Sequence, residues 1–451
     1  MRLYYNYYIF IQNLKGKKIE ILILDKIIST IMDNITNLLS NLNFNDNKKH
    51  DVKLYDPLYG IVKLGRYSGL IIDSYVFSRL KGIKQLGTLP FVHIHANHTR
   101  YEHSIGVAYL SRLTGESLQK YHPDITQRDI ECLELAGLCH DLGHGPYSHS
   151  FDNLLSNTKN ITKHHEVRSQ ILFRYVVDII NKDIDIGSRL SDSDIRLVQY
   201  FIDPKMYLKH MGDTIDKFGY PKLVGEFFHG FEQIVNNNVC NLDVDKMDYL
   251  NRDGIMLRLD QNMGKIDIIS ILERSKIIDG NWVFSISDQP LICDLVCRRY
   301  LYYNNIYLHP DINIIDYMFT EAFRILDKFD NFTNSSTLDS KSHIEKFIGL
   351  TDEKLLHRII NSTEIELKVA RDLINCIIYK NPLYKHIGDF EINCEFLGIS
   401  DYLELPLKTV ADKSSPMNLL PKVKYHQNGI IINNKSVKSA KYVRRILADN
   451  K

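Results

Sequence analysis

Within ten residues, His140-Asp141-Leu142-Gly143-His144-Gly145-Pro146-Tyr147-Ser148-His149, the sequence places three histidines and a carboxylate at the end of the apolar run Leu133-Glu134-Leu135-Ala136-Gly137-Leu138-Cys139. Adjacent His and Asp offer one nitrogen and one oxygen ligand, a mixture that suits a divalent ion of the zinc, iron or manganese kind. Neighbouring side chains on a helix diverge by about 100°. His140 and Asp141 therefore reach one ion only if it lies beyond a helix end, and Gly143, Gly145 and Pro146 supply that end. One His-Asp pair carries little weight alone, so the argument turns on further ligands.

They stand on either side. Upstream, His98-Thr99-Arg100-Tyr101-Glu102-His103 precedes the helical pattern Ser104 to Leu110; downstream lies Asp243-Val244-Asp245-Lys246-Met247-Asp248-Tyr249-Leu250-Asn251-Arg252-Asp253. The order H…HD…D resembles the HD-domain metallo-phosphohydrolase superfamily. The resemblance maps the metal ligands onto His103, His140, Asp141 and Asp245. Arg79 to Gly87, Arg100 to His103, His140 to His149, Lys163-His164-His165-Glu166 and Asp243 to Tyr249 also occur together and in order. That set resembles the deoxynucleotide triphosphohydrolases, of the eukaryotic type that joins a SAM domain to an HD domain. It extends from Leu54 to Ala322 and thins afterwards.

The resemblance implies metal-dependent hydrolysis of dNTPs to deoxynucleoside and inorganic triphosphate, with Fe, Zn or Mn at the HD site and Mg2+ accompanying the triphosphate. A metal lowers the pKa of bound water and offsets phosphoryl charge, and a catalytic site keeps positions open for both. Water would attack the α-phosphorus, and the departing O5′ needs a proton. His144, His149 and His165 are the candidate donors, because imidazole titrates near neutrality. His149 with Asp152 three residues later makes an acid with its own orienting carboxylate, provided a helix begins near Ser148. His144 and His165 would then contact the α-phosphate, and the roles of His144 and His149 are interchangeable at this level. Arg100, Lys246 and Arg299 are the candidate phosphate clamps, with Arg298 an alternative to its neighbour. Gln85, Leu86, Tyr249, Asp253 and Tyr307 are assigned by resemblance to the sugar pocket, where Leu86 leaves a 2′-hydroxyl unpaired at a cost of about 1–3 kcal/mol. Tyr300, Tyr302 and Tyr303 crowd the same helix as Tyr307 as packing residues. His93-x-His95-x-x-His98 reads as a loop rather than a second metal site.

The regulatory contacts of that enzyme type are eroded here. The guanine-reading pattern Asp-x-x-x-x-Gln-x-x-Arg is Asp73, Ser78 and Lys81. Val52-Lys53 replaces a basic pair, Val283 to Ser287 lacks the expected cations, and Pro310 stands where a Lys is expected; Arg274 persists. A homo-oligomer, dimer or tetramer, is still implied.

These residues must be positioned by a mainly α chain: an HD-domain helical core with a small C-terminal α/β lobe. Residues 1–50 form an N-terminal extension in which Tyr4 to Ile11 and Ile19 to Leu24 read as strands and Ile27 to Leu42 as a helix, too short for a SAM domain. Residues 51–327 hold the catalytic region, 328–389 a helical continuation (with helical patterning from 340 to 386), and 390–451 the small lobe. Within that lobe, Asn428-Gly429 signals a turn and Ser439 to Leu447 reads as a short basic helix. The formal net charge of +1 gives no global drive towards nucleic acid or anionic membrane. No apolar run approaches the roughly 20 residues that span a bilayer. Seven scattered cysteines without a Cys-x-x-Cys pair indicate an intracellular, reducing setting, and Cys139 reads as core. Two further functions stay open: another HD-type nucleotidase or phosphodiesterase, and a nucleic-acid-binding scaffold with a vestigial site.

Overall fold

The computed structural model describes residues 51–158, 164–211, 228–259 and 264–380, together with five later strands, all within the unit Asp51–Lys451. The expectations for residues 1–50 lie outside the described residues. The chain enters through the antiparallel hairpin β1 (Val52–Asp56) and β2 (Gly60–Leu64). The helices that build the site then follow as α1 (Arg100–Gln119), α2 (Gln127–Cys139), α3 (His149–Thr158), α4 (His165–Asp183), α5 (Val244–Met256), α6 (Gln289–Tyr302), α7 (Pro310–Asp330) and α8 (Asp352–Ile360). The fold is mainly α, as expected.

Local sequence explains where the central helices start and stop. Thr99 and Glu102 form a capping box that starts α1, and Thr126 and Asp129 form another that starts α2. Both helices are buried along most of their length and pack against each other. The helix α2 stops at Cys139 with His140 as its C-cap, so His140 and Asp141 leave the helix end rather than a shared helical face. Cys139 is fully buried in the core. Gly143 is required just beyond: a Cβ there would lie 2.0 Å from the His165 carbonyl oxygen, so only glycine lets this turn press on α4.

The sheets are small. Strands β3 (Lys276–Ile278) and β4 (Asn281–Ser285) pair antiparallel, and β4 continues in parallel to β7 (Tyr425–Gln427), which pairs antiparallel with β8 (Ile430–Ile432); the turn expected at Asn428-Gly429 lies outside the described residues. A second sheet has the order β5 (Tyr384–Glu391), β9 (Tyr442–Ala448), β6 (Tyr402–Pro406).

Two elements correct the sequence reading. Ser439 to Leu447 was expected as a basic helix, whereas Tyr442–Ala448 is the central strand of the second sheet. Tyr442, Val443 and Ile446 are residues that favour a pleated strand, and pairing on both edges outweighs the helix propensity of Arg444, Arg445, Leu447 and Ala448 within it. The helical pattern from 340 to 386 ends earlier than read: its last helix is Lys368–Ile378, and β5 begins at Tyr384. Pro382 in the sequence is incompatible with a continuing helix.

Candidate metal centre and active site

The first turn of α1, the C-terminal end of α2 and the first turn of α5 converge on one point. There His103 Nε2 lies 3.0 Å from Asp245 Oδ1 and 3.6 Å from Asp141 Oδ2. His140 Nε2 lies 3.4 Å from both Asp141 Oδ1 and Asp245 Oδ1. Ligand atoms of His103, His140 and Asp141 all fall within 4.8 Å of one another. His140 Nδ1 donates to the Gly137 carbonyl at 2.8 Å, leaving Nε2 buried and without a hydrogen-bond partner among the described residues. An orphaned imidazole nitrogen facing two carboxylates fits a divalent cation, because a cation supplies the partner that it lacks. The side chain of Asp245 is 27% exposed, so the cluster opens towards solvent on the α5 side.

A buried polar frame orients the other imidazole. His103 Nδ1 lies 2.8 Å from Asp248 Oδ2. Asp248 receives Arg252 at 2.8 and 2.9 Å and the Tyr59 hydroxyl at 2.8 Å, and Arg252 extends to Asp56 at 2.9 Å. Burial alone would raise the Asp248 carboxyl, but Arg252 and His103 hold its pKa down at about 2. Gly106 makes room for this frame, since a Cβ would sit 2.1 Å from Asp248 Oδ1. Burial opposes charge on His103, yet Asp245 and Asp248 outweigh it and raise its pKa to about 10.

The second histidine group sits beside the first. The rings of His144 and His165 stack at 3.9 Å, and His149 stands 5.1 Å and 5.6 Å from them. Helix α3 does begin at His149, as the proposed acid requires. The orienting carboxylate, however, is shared unequally. Asp152 Oδ2 lies 2.9 Å from His165 Nδ1 and 3.9 Å from His149 Nδ1, and its other oxygen takes Arg168. Burial opposes charge on His165, but Glu166 and Asp152 raise its pKa to about 9. Burial, Arg100 and His165 together keep His144 neutral. His149 is the open member, 66% exposed against 19% for His165.

The candidate clamps differ in how they are held. Arg100 is buried and donates to Asp141 at 2.5 Å, to Ser148 Oγ at 2.9 Å and to the Gln85 carbonyl at 3.3 Å. It therefore fixes a cluster carboxylate as well as adding positive charge. With His140 it holds the Asp141 carboxyl well below the usual range, against the upward push of burial. Lys246 Nζ lies 2.7 Å from Asp243, the N-cap of α5. Arg299 donates to the Asn241 carbonyl at 3.0 Å, and its Nε has no partner among the described residues. Arg298 is tied to Asp294 and the Gly264 carbonyl, which leaves Arg299 as the residue near Tyr249 and Asp245.

Of the sugar-pocket set, Asp253 and Tyr307 meet directly, the phenol donating to Asp253 Oδ2 at 2.5 Å. Gln85 is buried with Oε1 unpartnered among the described residues. Leu86 packs on a small apolar cluster of Leu89, Ala96, Leu257 and Ile312, and Tyr249 packs against the main core. At the eroded regulatory positions, Lys81 Nζ lies 4.5 Å over the Tyr101 ring, Ser78 donates to the Ile72 carbonyl, and Arg274 is clamped on Asp288.

Sequence reasoning missed several residues that hold the site. Asp248 stands three residues after Asp245 on the same helix, a spacing that signals a shared face. Arg79 and Arg168, both buried, hold the carbonyls of Leu142, His144 and Gly143. Asp352, at the start of α8, accepts from the backbone N–H groups of Tyr147 at 2.6 Å and Lys84 at 2.8 Å. No local signal marks Asp352. Tyr147 and Ser148 are both left-handed, with φ of 58° and 55°, so this anchor holds a strained turn immediately before His149.

An HD domain is matched at residues 100–252, the span from Arg100 to Arg252. An HD domain-containing protein of Acanthamoeba polyphaga mimivirus is 30% identical over 369 residues, covering 77% of this chain and 74% of that protein. The chain belongs to the HD-domain family. The resemblance carried by the order H…HD…D is thereby borne out. This HD-domain chain is also similar to the deoxynucleoside triphosphate triphosphohydrolase SAMHD1 homolog of Dictyostelium discoideum, at 31% identity over 352 residues, covering 77% of the chain and 62% of that protein. The triphosphohydrolase SAMHD1 of Gallus gallus is 31% identical over 355 residues, covering 74% and 55%. The chain thus spans between 55% and 62% of the length of these two relatives.

Proposed function

We propose that this chain is a metal-dependent hydrolase that cleaves dNTPs to deoxynucleoside and inorganic triphosphate. The observation that carries it is the unpartnered His140 Nε2 facing Asp141 and Asp245, beside a second group of three histidines. The two triphosphohydrolase relatives support the substrate class.

His103, His140, Asp141 and Asp245 would hold one divalent ion of the Fe, Mn or Zn kind. When bound, that ion lowers the pKa of a coordinated water and offsets charge on the phosphoryl oxygens. The protein's own groups do the rest. Arg100 keeps Asp141 ionised and oriented. Lys246 and Arg299 oppose the triphosphate charge, which Mg2+ also accompanies. His165, protonated and held by Asp152, adds a fixed positive charge next to neutral His144. As water adds to the α-phosphorus and the bond to O5′ breaks, His149 gives the leaving oxygen a proton from the open side of the group. Gln85, Leu86, Tyr249, Asp253 and Tyr307 would enclose the deoxyribose.

No helix among the described residues is long and apolar enough to cross a membrane. The six cysteines among the described residues are free thiols, which supports an intracellular setting. A homo-oligomer, dimer or tetramer, is part of the proposal. Purified protein incubated with each dNTP, NTP and deoxynucleoside monophosphate, before and after chelation, tests the reading. Turnover confined to dNTPs and lost on chelation is expected; turnover of monophosphates or of ribonucleotides in preference would reject the substrate class.

A further inference from the structure

His98 belongs to the histidine-rich stretch that neither the metal centre nor the phosphate chemistry uses. It is buried, unlike His95, which is exposed. Its Nε2 lies 2.7 Å from Asp253 Oδ1, with both side chains enclosed. The other oxygen of Asp253 accepts from Tyr307. The backbone carbonyl of His98 accepts from the Gln85 N–H at 3.1 Å, and Lys84 bridges Thr99 in the same short pairing. One residue thus ties together Gln85, Asp253 and Tyr307, which come from three distant stretches of the chain.

The proton inventory gives this tie a consequence. Tyr307 donates its only proton to Asp253, and an ionised carboxylate has none to give. His98 must therefore donate from Nε2, which fixes its tautomer and pins the second carboxylate oxygen. Gln85 Oε1, fully buried, is an acceptor to which nothing among the described residues donates. Acceptors with unfilled lone pairs recognise a hydroxyl proton and are left unsatisfied by a ligand that lacks one.

We infer that His98 is a positioning residue for sugar recognition: by donating to Asp253 and holding the Gln85 backbone, it sets the acceptors that require a 3′-hydroxyl on the substrate. This rests on the dNTP reading above. Among the described residues the His98 side chain is paired with Asp253 and not with any of the four cluster residues, so its loss is expected to leave bound metal unchanged.

The test compares kcat/KM for dGTP and for 2′,3′-dideoxy-GTP in the full chain and its His98 variants. Wild type should favour dGTP, and His98→Leu should narrow that preference by about tenfold, the usual scale for a lost buried hydrogen-bond partner. His98→Gln, whose amide N–H can replace Nε2, should restore most of it, with metal content the same throughout. Should the leucine variant fail to fold, His98→Asn, too short to reach Asp253, carries the same expectation. An equal fall with both substrates would overturn the inference and reduce His98 to a structural residue. Wild-type protein that cleaves both nucleotides equally would also overturn it while leaving the dNTP reading intact. Wild-type protein that cleaves neither would remove that reading, and this inference with it.

Discussion

Nδ1 of His103 lies 2.8 Å from Oδ2 of Asp248, a carboxylate that never faces the metal centre and is itself gripped by Arg252 and Tyr59. The bond fixes the tautomer that turns Nε2 towards Asp141 and Asp245. Losing such an orienting carboxylate typically costs about 10–100-fold in metal affinity. Asp248→Asn should therefore show weakened metal retention on dialysis against a graded chelator, together with a lower melting temperature because buried Arg252 loses charge compensation. Unchanged metal affinity would remove the orienting role.

His149→Ala should lower kcat by roughly 10²- to 10⁴-fold, the usual loss for a general acid, with KM and bound metal little changed. Initial rates across a dNTP concentration series check this. If KM rises and saturated turnover is preserved, His149 is a binding residue, and the proton comes from His165, which stands closer to Asp152.

His165 also makes stability depend on pH. Its folded pKa is raised from 6.5 to about 9, with the carboxylates of Glu166 and Asp152 outweighing burial. A raised value means that the folded chain binds the proton more tightly than the unfolded one. The stabilisation is fully present below pH 6.5 and is lost as pH rises through about 9. Chemical denaturation of wild type and His165→Gln at pH 6, 7.5 and 9.5 should show a gap that closes with rising pH. A gap that widens would contradict the assigned charge.

GTP should activate weakly or not at all. Lys81 is engaged over the Tyr101 ring and Arg274 is clamped on Asp288, so neither is a ready planar fork for guanine. One lost bidentate base contact removes about 1–3 kcal/mol, and several would take millimolar GTP below useful occupancy. Sedimentation with and without GTP, paired with initial rates on one dNTP, measures this directly. A larger species with a matching rise in rate would show that the activator site is rebuilt from other residues.

The candidate site was largely legible because its chemistry is concentrated in short motifs. His140 and Asp141 at a helix end followed from glycine and proline placement, whereas the start of α3 near Ser148 entered only as a condition for His149 to face Asp152, and the helix meets it by beginning at His149. The frame was not legible. Asp248 to His103, Arg79 to Leu142 and Asp352 to Tyr147 join residues 145, 63 and 205 positions apart, and no local pattern encodes such a bond. The partition of Asp152 between His149 and His165 was misjudged for the same reason: spacing offered His149 as the partner, whereas packing of α4 brings His165 closer. The strand Tyr442–Ala448 was read as a helix because pairing partners on both edges, Tyr384–Glu391 and Tyr402–Pro406, are set by topology rather than by its own composition.

The most direct test is hydrolysis of a dNTP by the metal-loaded chain in ¹⁸O-labelled water, with both products read by mass spectrometry. Attack at the α-phosphorus beside His103, His140, Asp141 and Asp245 puts one label in inorganic triphosphate and none in the deoxynucleoside. Label in a deoxynucleoside monophosphate or in orthophosphate would contradict it, since a different phosphorus would then be the one attacked or a different bond the one broken.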